Sequence, residues 1–311
     1  MKGMKIAVLG SGAMGCLYGG KLAEAGYDVT LIDVWKDHID SINNRGLHIE
    51  GIEGERTVRS IRAVSSAGEA GPCDLLIVFV KATLTAQAVE SARGIIGERT
   101  SILTLQNGLG NVEKISAVVG EEKVIAGVTG HGSTLLGPGK IRHAGQGVTV
   151  IGELNGAVDE RLRCIGAVLE KGGFDVKLSQ NVMGLIWGKL LVNIGINALT
   201  AITGLKNGRL VDFSETEELL RSAVEEAVAV AKGKGVILEG EDPVEHARNV
   251  ARLTATNRSS MLQDVSNKRK TEIDVINGAI VQEGKRLGIP TPVNKVLYNL
   301  VSVKEKTYEE V

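Results

Sequence analysis

The apolar run Ile6-Ala7-Val8-Leu9 passes directly into Gly10-Ser11-Gly12-Ala13-Met14-Gly15 and then into a stretch of helical character. Glycines at this spacing, between a strand and a helix, narrow the fold more than any other feature of the chain. The first permits a tight turn, the second lets a pyrophosphate approach the backbone, and the third lets the helix press on the strand. The start of the helix then offers N–H groups and the positive end of its dipole to phosphate. The same spacing also occurs in ordinary glycine-rich turns, so context decides. The next apolar run, Val29-Thr30-Leu31-Ile32, ends in Asp33, close to the distance at which an acidic residue meets a ribose 2′-hydroxyl. Gly10, Ser11, Gly12, Ala13, Met14, Gly15 and Asp33 are therefore the candidate dinucleotide contacts.

The first half continues as apolar runs alternating with amphipathic segments, the pattern of a parallel sheet covered on both faces. Strands are expected at Lys5 to Leu9, Val29 to Ile32, Thr57 to Val64, Leu75 to Val80, Ser101 to Leu105 and Val124 to Val128. Beyond Gly130 a glycine-rich stretch followed by Val148 to Ile151 predicts an antiparallel addition to that sheet. A helix over Val158 to Lys171 and a last strand over Phe174 to Leu178 complete the half. From about Asn181 the pattern is helical. Ser214 to Lys232 has early glutamates and a late lysine. Pro243 to about Asn267 starts with Asp242 as cap and proline in its first turn. A further helix opens at Thr271, where Thr271 and Asp274 have capping-box spacing, and stops at Gly288. The expected architecture is α/β: an N-terminal Rossmann-type doubly wound sheet, residues 1–180, that binds the dinucleotide, and a C-terminal all-helical domain, residues 181–311, for substrate and catalysis.

With 311 residues, 43% of them hydrophobic, the chain can bury two cores. Lys and Arg (36) nearly balance Asp and Glu (37), and no basic stripe is interleaved with aromatics, so a nucleic-acid partner is not expected. Cys16, Cys73 and Cys164 are scattered and form no CxxC pair, which fits a reducing cytoplasm and argues against structural zinc. His131 and His143 flank the glycine-rich stretch without carboxylates or cysteines at ligand spacing, so no metal site is expected. Apolar runs such as Leu75 to Val80 are too short to span a bilayer, and neither secretion signal nor membrane anchor is expected.

The most unusual polar placement lies in Leu185 to Leu199, apolar almost all round and so expected to be a buried helix. Lys189, Asn193 and Asn197 recur four apart on one narrow stripe of it. A buried ammonium and two amides are costly unless something polar lies opposite, and an anionic substrate would satisfy them. The alternative is that the stripe meets water or a neighbouring loop. Beside a reducible carbonyl, an ammonium stabilises the oxygen that becomes negative on hydride addition and donates its proton. Ser260 and Asp264 share a face of a second polar segment, and Glu272 follows a basic turn. Serine and glutamate at helix starts are commonly caps, but a carboxylate near Lys189 would keep it charged and aligned. Lys81 and Asn107 lie at strand ends, where open α/β sheets bind ligands; Asn107-Gly108 also reads as a turn and Lys81 as a solvated terminus.

Together these segments resemble the ketopantoate reductase family over nearly the whole chain. The residues that carry the resemblance are Gly10 to Gly15, Val80-Lys81, Gln106-Asn107-Gly108, Trp187-Gly188-Lys189-Leu190 with Asn193 and Asn197, Ser259 to Asp264, and Thr271 to Gly278. The resemblance implies Lys189 and Glu272 as catalytic residues, and Asn107, Asn193, Asn197 and Ser260 as substrate contacts. It makes Lys81, Asn107 and Glu272 contacts of the coenzyme, and implies reduction of 2-dehydropantoate to (R)-pantoate in the pathway to pantothenate and coenzyme A. NADPH is the family norm, carried by an arginine just past the second strand. Here Asp33-Val34-Trp35-Lys36 stands at that point. A carboxylate there accepts hydrogen bonds from a free ribose diol and repels a 2′-phosphate, which favours NADH, although Lys36 could reach a phosphate. An NADH-dependent D-2-hydroxyacid dehydrogenase acting on another 2-oxo acid stays open as an alternative. A dinucleotide sensor without turnover would need neither Lys189 nor Glu272. Apolar helices of the second domain could bury a homodimer face, or simply pack within the chain.

Overall fold

The computed structural model describes residues 3–240 and 242–309. Two compact units emerge. One takes in the chain up to Gln106 together with Asn111–Val182; the other takes Asn107–Gly110 and the chain from Met183 onward.

The first unit holds strands β1 (Lys5–Leu9), β2 (Asp28–Ile32), β3 (Leu47–Gly51), β4 (Arg56–Val58), β5 (Arg62–Val64), β6 (Cys73–Val78), β7 (Ile96–Thr104), β8 (Val124–Thr129), β9 (Gly132–Gly137), β10 (Lys140–Gly145), β11 (Thr149–Glu153) and β12 (Val176–Leu178). Its helices are α1 (Ala13–Glu24), α2 (Lys36–Arg45), α3 (Ala67–Ala70), α4 (Thr85–Ser91), α5 (Asn111–Val119) and α6 (Glu160–Lys171). The main sheet runs β12-β11-β8-β7-β6-β1-β2-β5. From β5 through β2, β1, β6 and β7 to β8 every pairing is parallel. This is the strand order of a doubly wound dinucleotide fold, with the change of direction at β1 and β6. Alternate residues of β1 serve opposite cores: Ile6 and Val8 join one buried cluster, Ala7 and Leu9 the other. Burial on both faces is why the strands read as unbroken apolar runs.

Several boundaries differ from the sequence expectation. The run Thr57 to Val64 is two strands in two sheets: β4 pairs with β3, whereas β5 pairs with β2, the chain crossing between them at Arg59-Ser60. The glycine-rich stretch does not simply extend the main sheet. β9 and β10 join β3 and β4 in a separate four-stranded sheet, and only β11 adds antiparallel to β8. Strand β3 has no counterpart in the expectation, which followed unbroken apolar runs, whereas β3 alternates buried Leu47 and Ile49 with His48 and Glu50.

The second unit is helical: α7 (Val182–Thr203, its first residue shared with the other unit), α8 (Ser214–Gly233), α9 (Pro243–Leu253), α10 (Ser260–Ser266), α11 (Asn277–Leu287) and α12 (Pro292–Lys306). Asp242 caps α9, its Oδ1 accepting from the N–H groups of Val244 and Glu245 at 2.9 and 3.1 Å. The single helix expected from Pro243 to Asn267 is instead broken after Leu253. Residues 254–258 dock on the turn at Asn207 and Gly208, whose N–H groups donate to Asn257 and Ala255 carbonyls. The helix expected to open at Thr271 begins at Asn277. Thr271 Oγ1 accepts from the Ile273 N–H at 3.1 Å, just ahead of a 3-10 turn over Ile273–Val275. Asp274 pairs with Lys270 rather than completing a capping box. Gly288 ends α11 in the left-handed conformation. By length and composition α7 could cross a bilayer, contrary to the expectation that every apolar run was too short, but 67% of its most apolar window is buried inside the protein.

Candidate active site

In the first unit the glycine loop leaves β1 at the change of strand direction. Gly10 has φ +94°, and a Cβ there would lie 2.6 Å from the Val80 nitrogen; a Cβ on Gly15 would strike the Gly10 carbonyl oxygen. Both glycines are demanded by the protein itself. Gly12 differs, because a Cβ there would meet nothing within 4 Å. It is the N-cap of α1 and makes no side-chain capping bond, so the first-turn N–H groups are left for another acceptor. This arrangement fits a dinucleotide pyrophosphate.

Asp33 closes the loop from the side. Its Oδ2 accepts from the Ser11 N–H at 2.8 Å and the Ser11 hydroxyl at 3.0 Å, while Oδ1 accepts from the Trp35 N–H at 3.1 Å. The half-buried carboxylate thus already organises the glycine loop, a role that its sequence position alone did not reveal. Lys81 is exposed and lies beyond the end of β6, before a 3-10 turn over Ala82–Leu84. Gln106 Nε2 donates to the Val80 carbonyl at 2.6 Å and to Thr85 Oγ1 at 2.9 Å, pinning the segment that carries Lys81. Gln106 was visible in the sequence only as the neighbour of Asn107.

In the second unit Lys189, Asn193 and Asn197 share one face of α7, with Trp187, Leu190, Leu191 and Ile194 buried around them. Lys189 and Asn193 are half-buried and Asn197 is buried. Burial pushes the Lys189 ammonium down to about 8, and the negative charge of Glu272 acts in the opposite direction. Glu272 is half-buried just before the 3-10 turn and accepts a hydrogen bond from Asn107 Nδ2 at 3.4 Å. The loop bearing Asn107 is fixed to this turn by the Leu109 N–H, which donates to the Val275 carbonyl at 2.9 Å. Gly108, at φ +80°, allows that approach, since a Cβ would lie 2.6 Å from Val275. Lys189, Glu272 and Asn107 are therefore gathered electrostatically from positions far apart in the chain. Ser260 is exposed at the first residue of α10. The capping serine is its neighbour Ser259, whose Oγ accepts from the Leu262 N–H at 3.0 Å. His131 and His143 lie elsewhere, as an interior pair of the first unit 3.1 Å apart.

A doubly wound sheet with an uncapped glycine loop, joined in one chain to a helical unit carrying a depressed lysine beside a carboxylate, defines an NAD(P)-dependent oxidoreductase. Family models described as "Ketopantoate reductase PanE/ApbA" and "Ketopantoate reductase PanE/ApbA C terminal" match residues 6–156 and 181–305. The chain is 37% identical over 303 residues to a 2-dehydropantoate 2-reductase of Halobacterium salinarum, covering 97% of this chain and 99% of that one. It is 37% identical over 302 residues to the enzyme of that name from Pyrococcus horikoshii, covering 97% and 98%. Among solved structures, a PanE/ApbA family ketopantoate reductase from Ralstonia eutropha is similar with TM-score 0.91 and 36% identity, covering 98% of this chain and 100% of that one. A D-mandelate dehydrogenase in ternary complex with NADH and anilino(oxo)acetate is similar with TM-score 0.92 and 30% identity, covering 98% and 99%. The chain belongs to the ketopantoate reductase family.

Proposed function

We propose that this enzyme reduces 2-dehydropantoate to (R)-pantoate, a step toward pantothenate and coenzyme A, in the cytoplasm. The observation that carries the reading is the Lys189 ammonium: half-buried, depressed to about 8, on one helix face with two carboxamides and within the field of Glu272. NAD(P)H, when bound, supplies a hydride to the carbonyl carbon of the 2-oxo acid. The Lys189 Nζ–H points its positive charge at the carbonyl oxygen and delivers the proton as the C=O electron pair moves onto that oxygen. The neutral amine then regains a proton from solvent, and Glu272 favours the charged form throughout. Asn107, Asn193, Asn197 and Ser260 supply hydrogen bonds to the carboxylate and hydroxyl of the substrate. Gly10 to Gly15, Asp33 and Lys81 hold the coenzyme, with Asn107 and Glu272 as further contacts.

NADH is the coenzyme that Asp33 favours. A carboxylate already fixed by three donors leaves acceptor capacity for a ribose hydroxyl and repels a 2′-phosphate. The unpaired cysteines support the cytoplasmic location. Replacing Lys189 by Ala tests the mechanism: turnover should fall by roughly 10²–10⁴ while coenzyme affinity is retained. Unchanged turnover would sink Lys189 as the acid.

A second reading, an NADH-dependent D-2-hydroxyacid dehydrogenase for another 2-oxo acid, is favoured by Asp33 and by the likeness to D-mandelate dehydrogenase. A panel of 2-oxo acids separates the two. A kcat/KM higher for substrates lacking the terminal hydroxyl of ketopantoate would select the second.

A further inference from the structure

We propose that Trp35 is the platform on which the adenine ring of the coenzyme stacks, and that it sets coenzyme affinity without taking part in hydride transfer. The inference rests on the coenzyme reading of the glycine loop and extends it to a residue that neither the motif nor the family resemblance assigned.

The indole is unusual in its setting. The chain has two tryptophans; Trp187 is 1% exposed, whereas Trp35 is 38% exposed. An exposed indole is commonly loosely held, but this one is not. Its ring lies against the His38 imidazole with centroids 5.2 Å apart and planes within 10°. His38 is itself completely buried. Its Nδ1 accepts from the Gly139 N–H at 3.0 Å, and its Nε2 lies 3.3 Å from Cys16 Sγ. The accepting Nδ1 places the ring proton on Nε2, and burial holds the imidazole neutral by lowering its pKa. Trp35 thus rests on an uncharged flat ring that is tied down at both nitrogens. Its backbone is tied as well, since the carbonyl accepts from the N–H groups of His38 and Ile39 in the first turn of α2.

Position supplies the second half of the argument. The Trp35 N–H donates to Asp33 Oδ1, and Asp33 Oδ2 accepts from Ser11 in the phosphate loop. A hydrogen-bonded path therefore runs from the pyrophosphate cradle, through the carboxylate that would hold the adenosine ribose, to the indole. The adenine is one glycosidic bond beyond that ribose. A rigid aromatic surface there supplies stacking, which any purine face accepts. His38 already occupies part of the indole, so its exposed surface is what a base would cover. Val34, the residue between, is 92% exposed and presents no competing ring.

The test separates the adenosine half of the coenzyme from the nicotinamide half. In the wild-type enzyme, ADP should quench tryptophan emission, because Trp35 is the exposed indole and Trp187 is buried. In Trp35→Phe, a conservative variant that keeps an aromatic ring, ADP should bind with affinity near wild type but leave the remaining emission unchanged. In Trp35→Ala, calorimetric affinity for ADP and the KM for NADH should worsen by roughly 5- to 100-fold, in line with the loss of one base–aromatic stack. kcat at saturating NADH should stay the same, as should the rate with reduced nicotinamide mononucleotide, which carries no adenosine. If wild-type enzyme binds neither NADH nor NADPH, the coenzyme reading itself fails. Where NADH binds, two results overturn the Trp35 assignment and leave that reading intact: an unaltered KM in the alanine variant, or the same ADP-induced quenching in Trp35→Phe as in wild type. If the alanine variant does not fold, the fluorescence comparison with phenylalanine still decides.

Discussion

Lys189 is a positive charge held on an apolar helix, and the sign of what that costs can be worked out. Its folded value of about 8 lies below the ordinary 10.5, so between these values the unfolded chain binds the proton more readily than the folded one. Stability therefore rises with pH across that window, and the full cost is carried below about 8. A Lys189→Met variant should be more stable than wild type near neutrality, by at most about 3 kcal/mol, and the advantage should shrink as pH approaches 10. Thermal melts of both proteins at pH 7 and pH 10 check this. In the proposed mechanism the same residue also sets the pH dependence of the reaction. With Lys189 as the proposed acid, kcat/KM for the 2-oxo acid should fall above about pH 8, whereas the reverse oxidation should rise there. Stability and activity are opposed at this one side chain, as expected where a site is built from groups that the fold alone would not choose.

Among the elements, the β1–α1 turn separates glycines needed by the protein from one that the fold leaves facing open space. The Gly15 position faces backbone oxygen, while Gly12 faces open space. Gly15→Ala should destabilise the enzyme by about 1–3 kcal/mol, read as a drop in melting temperature. Gly12→Ala should leave the melting temperature unchanged and weaken coenzyme binding by about 1–2 kcal/mol, roughly 5–30-fold. Equal effects on folding at both positions would show that the open space at Gly12 is not reserved for phosphate. The loop after β7 follows the same logic at longer range: Gly108 allows Asn107 to reach Glu272, residues that only the folded chain brings together.

At the scale of the whole molecule, the first unit is built from two sheets, and a neutral histidine pair sits where they meet. His131 follows β8 of the main sheet and His143 lies on β10 of the smaller one; they are 8% and 1% exposed, with His131 Nδ1 and His143 Nε2 3.1 Å apart. Tyr18 and Phe174 pack edge-on to His131, and the charged groups acting on the pair are Glu53, Lys21 and Arg56. Burial pushes His131 down to about 4. The folded state thus resists protonation where the unfolded chain accepts it, so its contribution is complete above about pH 6.5 and is lost as pH falls toward 4. Urea unfolding at pH 7 and at pH 4.5 should reveal acid destabilisation of up to about 3 kcal/mol from this group. The slope should be reduced in His131→Gln, with turnover at neutral pH little changed.

Local spacing alone was enough to mark the glycine loop, the doubly buried strands and the polar stripe of α7. Each depends on residues within a turn or two of one another, and the period of burial is written directly into their order. Other features depend on pairings that hydrophobic pattern does not encode. Thr57 to Val64 reads as one strand because its β-branched residues run on with no glycine or proline to divide them, yet its halves serve different sheets. Pro243 to Asn267 reads as one helix because nothing in it announces that residues 254–258 dock on the turn at Asn207 and Gly208. The bond of Asp33 to Ser11, the stacking of Trp35 on His38, and the meeting of Asn107 with Glu272 across 165 positions likewise belong to tertiary structure. The sequence by itself determined which faces are buried and where the glycine turn and the polar stripe lie. Only the folded chain decided which partners those faces and charges meet, because hydrogen-bond pairing and desolvation are set by neighbours distant along the chain.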